Sequence, residues 1–251
     1  MALTLRALVT FLLPLFSIAA LADTEPTGQS TPTLKEVKIQ VQLQPWQKRR
    51  ADFSKIVQGL RENNPDAKRD FDAVLTEFET RTLSRTPIEN MEILGVFYVP
   101  KDGMDPALSV IAMNAVLGWY DALRFASESG RAEITNNEGF FKKPIILGGS
   151  DSQRKAVNFL QGNPKRVTDL LEQGMSYADK FRETASYDRT WVTAYGMEKY
   201  ICATGGSCES PRALPKEQWN DAWKEAKQRV TSYYSVPKQP VSNGVPTQSP
   251  Q

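Results

Sequence analysis

A polar residue followed by proline recurs along this chain, each time ahead of a segment with helical apolar spacing. The oxygen of such a side chain can cap a helix, and proline fits the first helical position because its missing N–H would have no partner there. Proline is also excluded from central β-strands. These dipeptides are Asn64-Pro65, Thr86-Pro87, Asp105-Pro106 and Asn163-Pro164, and Leu214-Pro215 adds a start without the polar cap. The pattern predicts a mostly α fold.

The spacing of apolar residues predicts one irregular bundle of about seven to eight helices, with at most one short strand pair. Only residues 37–43 alternate as a strand would. Residues 107–125 are apolar nearly all round, which is typical of a helix buried in the middle of a bundle. We expect this helix to stop at Gly130, because glycine readily adopts the positive φ of a helix end. Trp219 and Trp223 lie at helical spacing and are expected in the core.

The first 22 residues are typical of a secretory signal peptide. They contain one charge, at Arg6, then a short apolar run and small residues that end at Ala22. The run is shorter than the about 20 residues that a spanning helix needs, and it contains Pro14. We therefore expect a periplasmic protein that begins near Asp23 and has no membrane span after signal removal.

The rest of the chain divides by composition into three parts. Residues 23–33 are polar with two prolines, and residues 237–251 are rich in proline, serine and glutamine. Such segments cannot bury a core, so we expect a flexible leader and a disordered tail. Residues 34–236 remain for a single helical domain, which is long enough for one sizeable core.

The two cysteines, Cys202 and Cys208, enclose five residues that include two glycines. Export to an oxidising compartment favours a local disulfide between them. A redox C-x-x-C pair has only two intervening residues. Because the chain has no histidine, two thiols would leave a zinc shell half empty. The sequence therefore predicts a Cys202–Cys208 disulfide.

The lack of histidine also excludes Ser-His-Asp and Cys-His triads and the usual zinc enzymes. The formal charge of +2 is too balanced for a strongly electrostatic nucleic-acid binder. Ser152 and Lys155 match the S-x-x-K motif of β-lactamases, but the companion K-T-G and S-D-N motifs are missing, so we interpret them as a helix N-terminus with a solvated lysine. Glu92, in an apolar stretch, is expected to face solvent because burying a charge is costly. We predict no catalytic, cofactor-binding or metal-binding residue.

The candidate partner-binding segment is residues 131–149, the longest stretch without helical spacing. It contains Phe140 and Phe141 next to Lys142 and Lys143. Adjacent aromatic rings beside cations can anchor a partner protein or peptidoglycan-associated groups, because the rings supply contact area and the cations can meet acidic groups. The alternative is that one phenylalanine and the apolar run after the lysines pack under the bundle.

Residues 118–134, GWYDALRFASESGRAEI, resemble a stretch in proteins encoded beside effectors of bacterial type VI secretion systems. Such proteins are often exported immunity proteins, which bind and neutralise a sister cell's toxin. The resemblance therefore implies a non-catalytic periplasmic protein whose partner is a secreted toxin. The block carries no motif with a mechanism, so no functional residue transfers from it.

Three classes of function stay open on these grounds. The first is an exported non-catalytic binding protein, such as an immunity protein, because binding needs no catalytic group. The second is an envelope accessory or scaffold protein, which the proline-rich tail suits. The third is a histidine-free cell-wall hydrolase or acyl-enzyme. The first two imply another protein as partner, and the sequence leaves the oligomeric state open.

Overall fold

The computed structural model describes residues 43–135, 142–197 and 213–235 of the 251-residue chain. These residues form helices and short connections, and no strand occurs among them. The predicted all-α fold is therefore confirmed. The signal peptide, the leader, the tail and almost all of the expected strand lie outside the described residues.

The described residues contain ten α-helices, one π-helix and three 3₁₀ turns. The α-helices are α1 (Pro45–Arg61), α2 (Pro65–Arg81), α3 (Pro87–Ile93), α4 (Val99–Asp102), α5 (Met104–Phe125), α6 (Glu128–Thr135), α7 (Lys143–Ile146), α8 (Gly149–Gly162), α9 (Pro164–Phe181) and α10 (Trp219–Ser235). The π-helix is Leu94–Tyr98, and the 3₁₀ turns are Thr82–Ser84, Arg189–Ala194 and Lys216–Gln218. Ten exceeds the seven to eight expected because single-turn helices such as α4 and α7 have no periodic pattern to reveal them.

The structure contains two of the helix caps that the sequence predicts. The Asn64 side chain accepts a hydrogen bond from the Asp66 N–H at 2.9 Å and so caps α2. Thr86 and Glu89 form a capping box at the start of α3, where the Glu89 carboxylate accepts from the Thr86 N–H at 2.8 Å. Each such cap is worth about 1 kcal/mol, because it pairs a backbone N–H that the helix leaves unpaired.

The predicted ends of the central helix are wrong at both sides. Helix α5 begins at Met104, two residues earlier than the Asp105 cap implies, because Gly103 ends α4 with a φ of 85° and turns the chain directly into α5. The helix ends at Phe125, and Gly130 lies inside α6. A positive φ suits glycine, so Gly103 sets the start of α5, whereas the extended backbone of Ala126 ends it.

Helix α5 runs through the middle of the bundle and is buried on nearly all sides, as its composition predicted. It packs against α3, α9, α10 and the Arg189–Ala194 turn. Trp223 of α10 is 6% exposed and lies edge-to-face with Tyr120 of α5, with 4.9 Å between ring centroids. Trp219 is half-buried and donates to the Leu214 carbonyl oxygen at 2.8 Å. No helix of the described part of the chain is long and apolar enough to cross a membrane.

Candidate functional site

A groove of about 370 Å³ lies beside α1, and we refer to it as the α1 groove. One wall is a single face of α1, because its lining residues are spaced by three and four positions along the helix. The other wall carries Glu92 from α3, Val96 from the π-helix and Leu147 from the turn after α7. The residues that α1 contributes are Arg50, Phe53, Ser54, Val57, Gln58 and Arg61.

The second wall depends on a close approach at Gly95 in the π-helix. A Cβ at this position would lie 2.6 Å from the Lys143 carbonyl oxygen and 2.9 Å from the Pro144 Cα, well inside van der Waals contact. Glycine therefore allows the backbone of α7 to lie directly on the π-helix, which brings Leu147 to the groove. Single π-turns of this kind occur frequently at functional sites.

The charged centre of the α1 groove is a bidentate ion pair between Arg50 and Glu92. Arg50 donates to Glu92 through Nε at 2.9 Å and through Nη2 at 2.5 Å. Its third nitrogen, Nη1, donates to the Tyr195 hydroxyl at 3.2 Å. The Lys143 Nζ lies 3.4 Å from Glu92 Oε1, so two cations share one carboxylate.

The surroundings fix the charge states of two of these groups. Burial opposes the charge on Arg50, but hydrogen bonding and attraction to Glu92 outweigh it and raise the pKa of Arg50 above its ordinary value. Burial raises the pKa of Tyr195 to about 12, although the nearby Arg50 charge lowers it in part. Arg50 therefore stays charged and Tyr195 neutral across the physiological range, which suits recognition by fixed charges.

A second bidentate ion pair stands beside the first and joins α1 to α3. Arg49 donates to Glu89 through Nε at 2.6 Å and through Nη2 at 2.9 Å. Glu89 is 3% exposed, takes part in the capping box of Thr86, and lies 3.7 Å from Arg85 Nη1. Because the same carboxylate caps α3 and binds α1, this pair holds the two walls of the groove in register.

Two described residues of the predicted partner-binding segment, Lys143 and Leu147, lie at the α1 groove. Lys143 opens α7 and pairs with the groove carboxylate, and Lys142 is half-buried in the preceding turn. Ile145 is 4% exposed, so the apolar run after the lysines does pack partly under the bundle. Phe140 and Phe141 lie outside the described residues.

The expectation of one long irregular loop at residues 131–149 is wrong where the structure describes it. Residues 131–135 complete α6, residues 143–146 form α7, and α8 begins at Gly149. Helices this short show no apolar period in the sequence, so their helical nature was missed. The predicted Cys202–Cys208 disulfide also falls outside the described residues and stays a prediction.

The expectation that Glu92 faces solvent is wrong, since its side chain is only 13% exposed. The cost of burying it is offset by Arg50, which comes from 42 residues earlier in the chain. In the S-x-x-K motif, the Ser152 Oγ is buried without a hydrogen-bond partner. Lys155 is 72% exposed and pairs with Asp151 at 2.7 Å, as expected for a solvated lysine near a helix N-terminus.

Sequence reasoning missed a buried charge cluster around Asp121, which is 0% exposed on α5. One carboxylate oxygen lies 2.8 Å from Arg124 Nη2 and 3.3 Å from Arg189 Nη1. The other accepts from the Tyr187 hydroxyl at 2.7 Å and from Trp191 Nε1 at 3.1 Å. Three of these donors, Tyr187, Arg189 and Trp191, tie α5 to the Arg189–Ala194 turn and the residues just before it, so the cluster is structural.

Burial shifts the pKa of two groups in this cluster, Asp121 and Tyr187. Burial raises the pKa of Asp121 above its ordinary value, against the opposing charges of Arg189 and Arg124. Burial also raises the pKa of Tyr187 well above its ordinary value. The one available sequence signal is that Asp121 interrupts the most apolar segment of the chain.

A wider depression of about 880 Å³ lies along α10, next to Trp119 of α5. Its charged residues pair with neighbours on the same helix. Lys224 lies 3.2 Å from Asp221, and Arg229 lies 2.6 Å from Glu225. These charges do not converge on a shared point, so we place the candidate site in the α1 groove.

Comparison of the chain with protein-family models, with curated proteins and with solved structures found no match. Residues 118–134, which carry the resemblance to proteins encoded beside type VI effectors, span the end of α5 and most of α6. They include the fully buried Asp121. Among the described residues, no three Cys, Asp or Glu side chains are grouped as metal ligands would be.

Proposed function

We propose that this protein is an exported periplasmic binding protein that recognises another protein through the α1 groove and through the predicted partner-binding residues 140–143. Following the resemblance at residues 118–134, the partner is a secreted antibacterial toxin that the protein neutralises. The observation that carries the proposal is the position of Lys143. This predicted partner-binding residue also completes the ion pair at the centre of the groove.

The groove chemistry supports binding rather than turnover. Its central arginine and carboxylate are engaged with each other, and neither is presented alone to a substrate. Held in this way, the charges are already positioned before a partner arrives, which lowers the ordering cost of association. Leu147 is 37% exposed at the rim and offers apolar contact beside the charges.

The test is purification of the tagged mature protein from periplasm after cross-linking, with quantitative identification of the proteins that accompany it. Leu147→Glu places a charge at the groove rim. Leu43→Glu is the matched control, since Leu43 is similarly exposed at 39% and does not line the groove. We expect a partner that wild type and Leu43→Glu retain and that Leu147→Glu loses by about ten-fold or more.

Each outcome of this experiment decides the proposal. A retained toxin whose lethality the mature protein suppresses on co-expression supports it. Recovery of envelope components alone would assign a scaffold role instead. Acylation by a β-lactam or cleavage of peptidoglycan by the purified protein would contradict a non-catalytic function. The Phe140→Ala/Phe141→Ala double variant, run in parallel, tests whether those rings share the same surface.

A further inference from the structure

We infer that the α1 groove binds an acidic segment of the partner protein, with carboxylates toward both ends and an apolar side chain between them. This inference rests on the proposed function, because it specifies what the partner must present. It follows from the charge of the groove, from the spacing of its cations and from its apolar middle.

The groove carries an excess of positive charge. Two cations, Arg50 and Arg61, line the groove against one carboxylate, Glu92. Lys143 does not line the groove, but its Nζ lies 3.4 Å from Glu92 Oε1 and adds a third cation beside that carboxylate. Arg50 and Lys143 share that carboxylate and keep 28% and 21% of their side chains exposed. Arg61 is exposed and has no carboxylate partner among the described residues.

Two nearby acids on α1 lie outside the groove lining and offset its charge only in part. Glu62 accepts a hydrogen bond from the Gln58 side chain at 3.0 Å, but it does not line the groove. Asp52, on the same helix, pairs with Lys55 outside the groove lining. A carboxylate that enters the groove therefore meets cations whose charge is only partly offset, and complementary charge favours an acidic partner.

The spacing of the cations favours a segment of chain over a single small anion. Arg50 and Arg61 are eleven positions apart on one face of α1, which corresponds to about 16 Å along the helix axis. An extended chain advances about 3.3 Å per residue, so about five residues span this distance. A phosphate or a lone carboxylate can reach only one of the two arginines at a time.

The middle of the groove is apolar. Val57 lies between the two arginines along α1, and Val96 and Leu147 stand on the opposite wall. Both valines are half-buried, and Leu147 is the most exposed of the three. A branched apolar side chain at the centre of the bound segment would cover these groups, while acidic side chains on either side reach the arginines.

The probe is an end-capped nonapeptide, Gly-Asp-Glu-Ala-Leu-Ala-Glu-Asp-Gly, titrated into ¹⁵N-labelled mature protein at low salt. A matched peptide replaces Asp by Asn and Glu by Gln. We expect the acidic peptide to shift amide signals along residues 50–61 and near residue 147, and the neutral peptide to bind at least about five-fold more weakly. The affinity should fall as salt is added, because the charges are near the surface.

The decisive variant is Arg61→Glu, with Arg81→Glu as its control. Both arginines are the last residues of their helices, α1 and α2, both are exposed, and Arg81 does not line the groove. Arg61→Glu should weaken the acidic peptide by about ten-fold, and Arg81→Glu by less than about two-fold. Arg61→Gln serves as a milder variant if charge reversal frays α1.

Three results would overturn the inference: equal binding of both peptides, shifts confined to another face, or unchanged affinity in Arg61→Glu. Failure here is separable from failure of the proposed function. If a captured partner binds wild type and Arg61→Glu equally, the proposed function is retained, but the inference that the groove binds an acidic segment is contradicted. Arginine-dependent peptide binding without any captured partner supports the groove chemistry and contradicts the proposed function.

Discussion

Asp121 and Glu92 are each one carboxylate held by two cations, yet they lie in different surroundings. Asp121 is 0% exposed in the middle of the bundle, and Glu92 is 13% exposed in the wall of the α1 groove. Each also lies close to a tyrosine. The Tyr187 hydroxyl donates directly to Asp121, whereas the Tyr195 hydroxyl accepts from the arginine that binds Glu92.

The difference shows how burial separates a structural cluster from a proposed binding site built of the same groups. Four donors from the protein satisfy Asp121, and its carboxylate has no contact with solvent. The cations around Glu92 are partly exposed, so their charge reaches the groove. Removing one partner of an ion pair inside the core leaves a buried charge uncompensated, whereas an ion pair that lines a groove also presents a field to a partner.

The largest expected effect is that of Asp121→Asn on stability. Asparagine is close to isosteric but leaves Arg124 and Arg189 buried without a counter-charge. We expect a loss of about 3–5 kcal/mol in the free energy of unfolding, measured by denaturant titration. Asp105→Asn is the control, because Asp105 is 49% exposed in its pair with Arg166, and it should cost less than about 1 kcal/mol. Similar losses of stability in the two variants would contradict the distinction between a buried ion pair and an exposed one.

The second prediction concerns Gly95→Ala, which changes the packing beside the groove without replacing any charged residue. The added methyl would overlap the Lys143 carbonyl oxygen, so α7 must shift. We expect the free energy of unfolding to fall by about 1–3 kcal/mol, and any ligand of the groove to bind with lower affinity. Gly162→Ala is the matched control, since a Cβ at Gly162 meets no atom within 4 Å, and it should leave stability unchanged or slightly higher. Equal stability of Gly95→Ala and wild type would contradict the close approach.

How much of the fold the sequence predicts depends on how local the cause is. The Asn64 cap and the Thr86–Glu89 capping box were predictable because donor and acceptor lie within three residues. The buried central helix was predictable because its composition is apolar all round. The start of this helix was not predictable, because the sequence alone does not show that Gly103 adopts a φ of 85°.

The two carboxylate clusters were not predictable for the opposite reason. The Asp121 partners Tyr187 and Trp191 come 66 and 70 residues later in the chain. Glu92 was expected at the surface, because burying a charge is costly unless it is paired. Arg50 supplies the pairing from another helix, and only the packing of α1 against α3 brings the two together. Lys143 stays a predicted partner-binding residue, and its contact with Glu92 was not predicted from the sequence.

The third prediction compares the two carboxylates directly through Glu92→Gln. Arg50 is 28% exposed, so water can partly replace the lost charge, and the amide can keep one hydrogen bond. We expect a loss of about 1–2 kcal/mol by denaturant titration, below that of Asp121→Asn. A loss as large as that of Asp121→Asn would mean that the groove pair is as structural as the core cluster.

The smallest expected effect is a pH dependence that Tyr195→Phe should reduce. Burial raises the pKa of Tyr195 to about 12, above the ordinary value of 10.0. A phenol that holds its proton more tightly in the folded state loses it first from the unfolded state, so stability falls as pH rises from about 10 toward 12. One such tyrosine contributes about 1 kcal/mol of this loss at pH 11 relative to pH 9. Denaturant titrations at both pH values should therefore show a drop about 1 kcal/mol smaller in Tyr195→Phe than in wild type. The other buried tyrosines are common to both proteins and cancel in this comparison. An identical drop in both would show that the Tyr195 hydroxyl is hydrated, and the groove would then be more open at the Arg50 side than its hydrogen bond indicates.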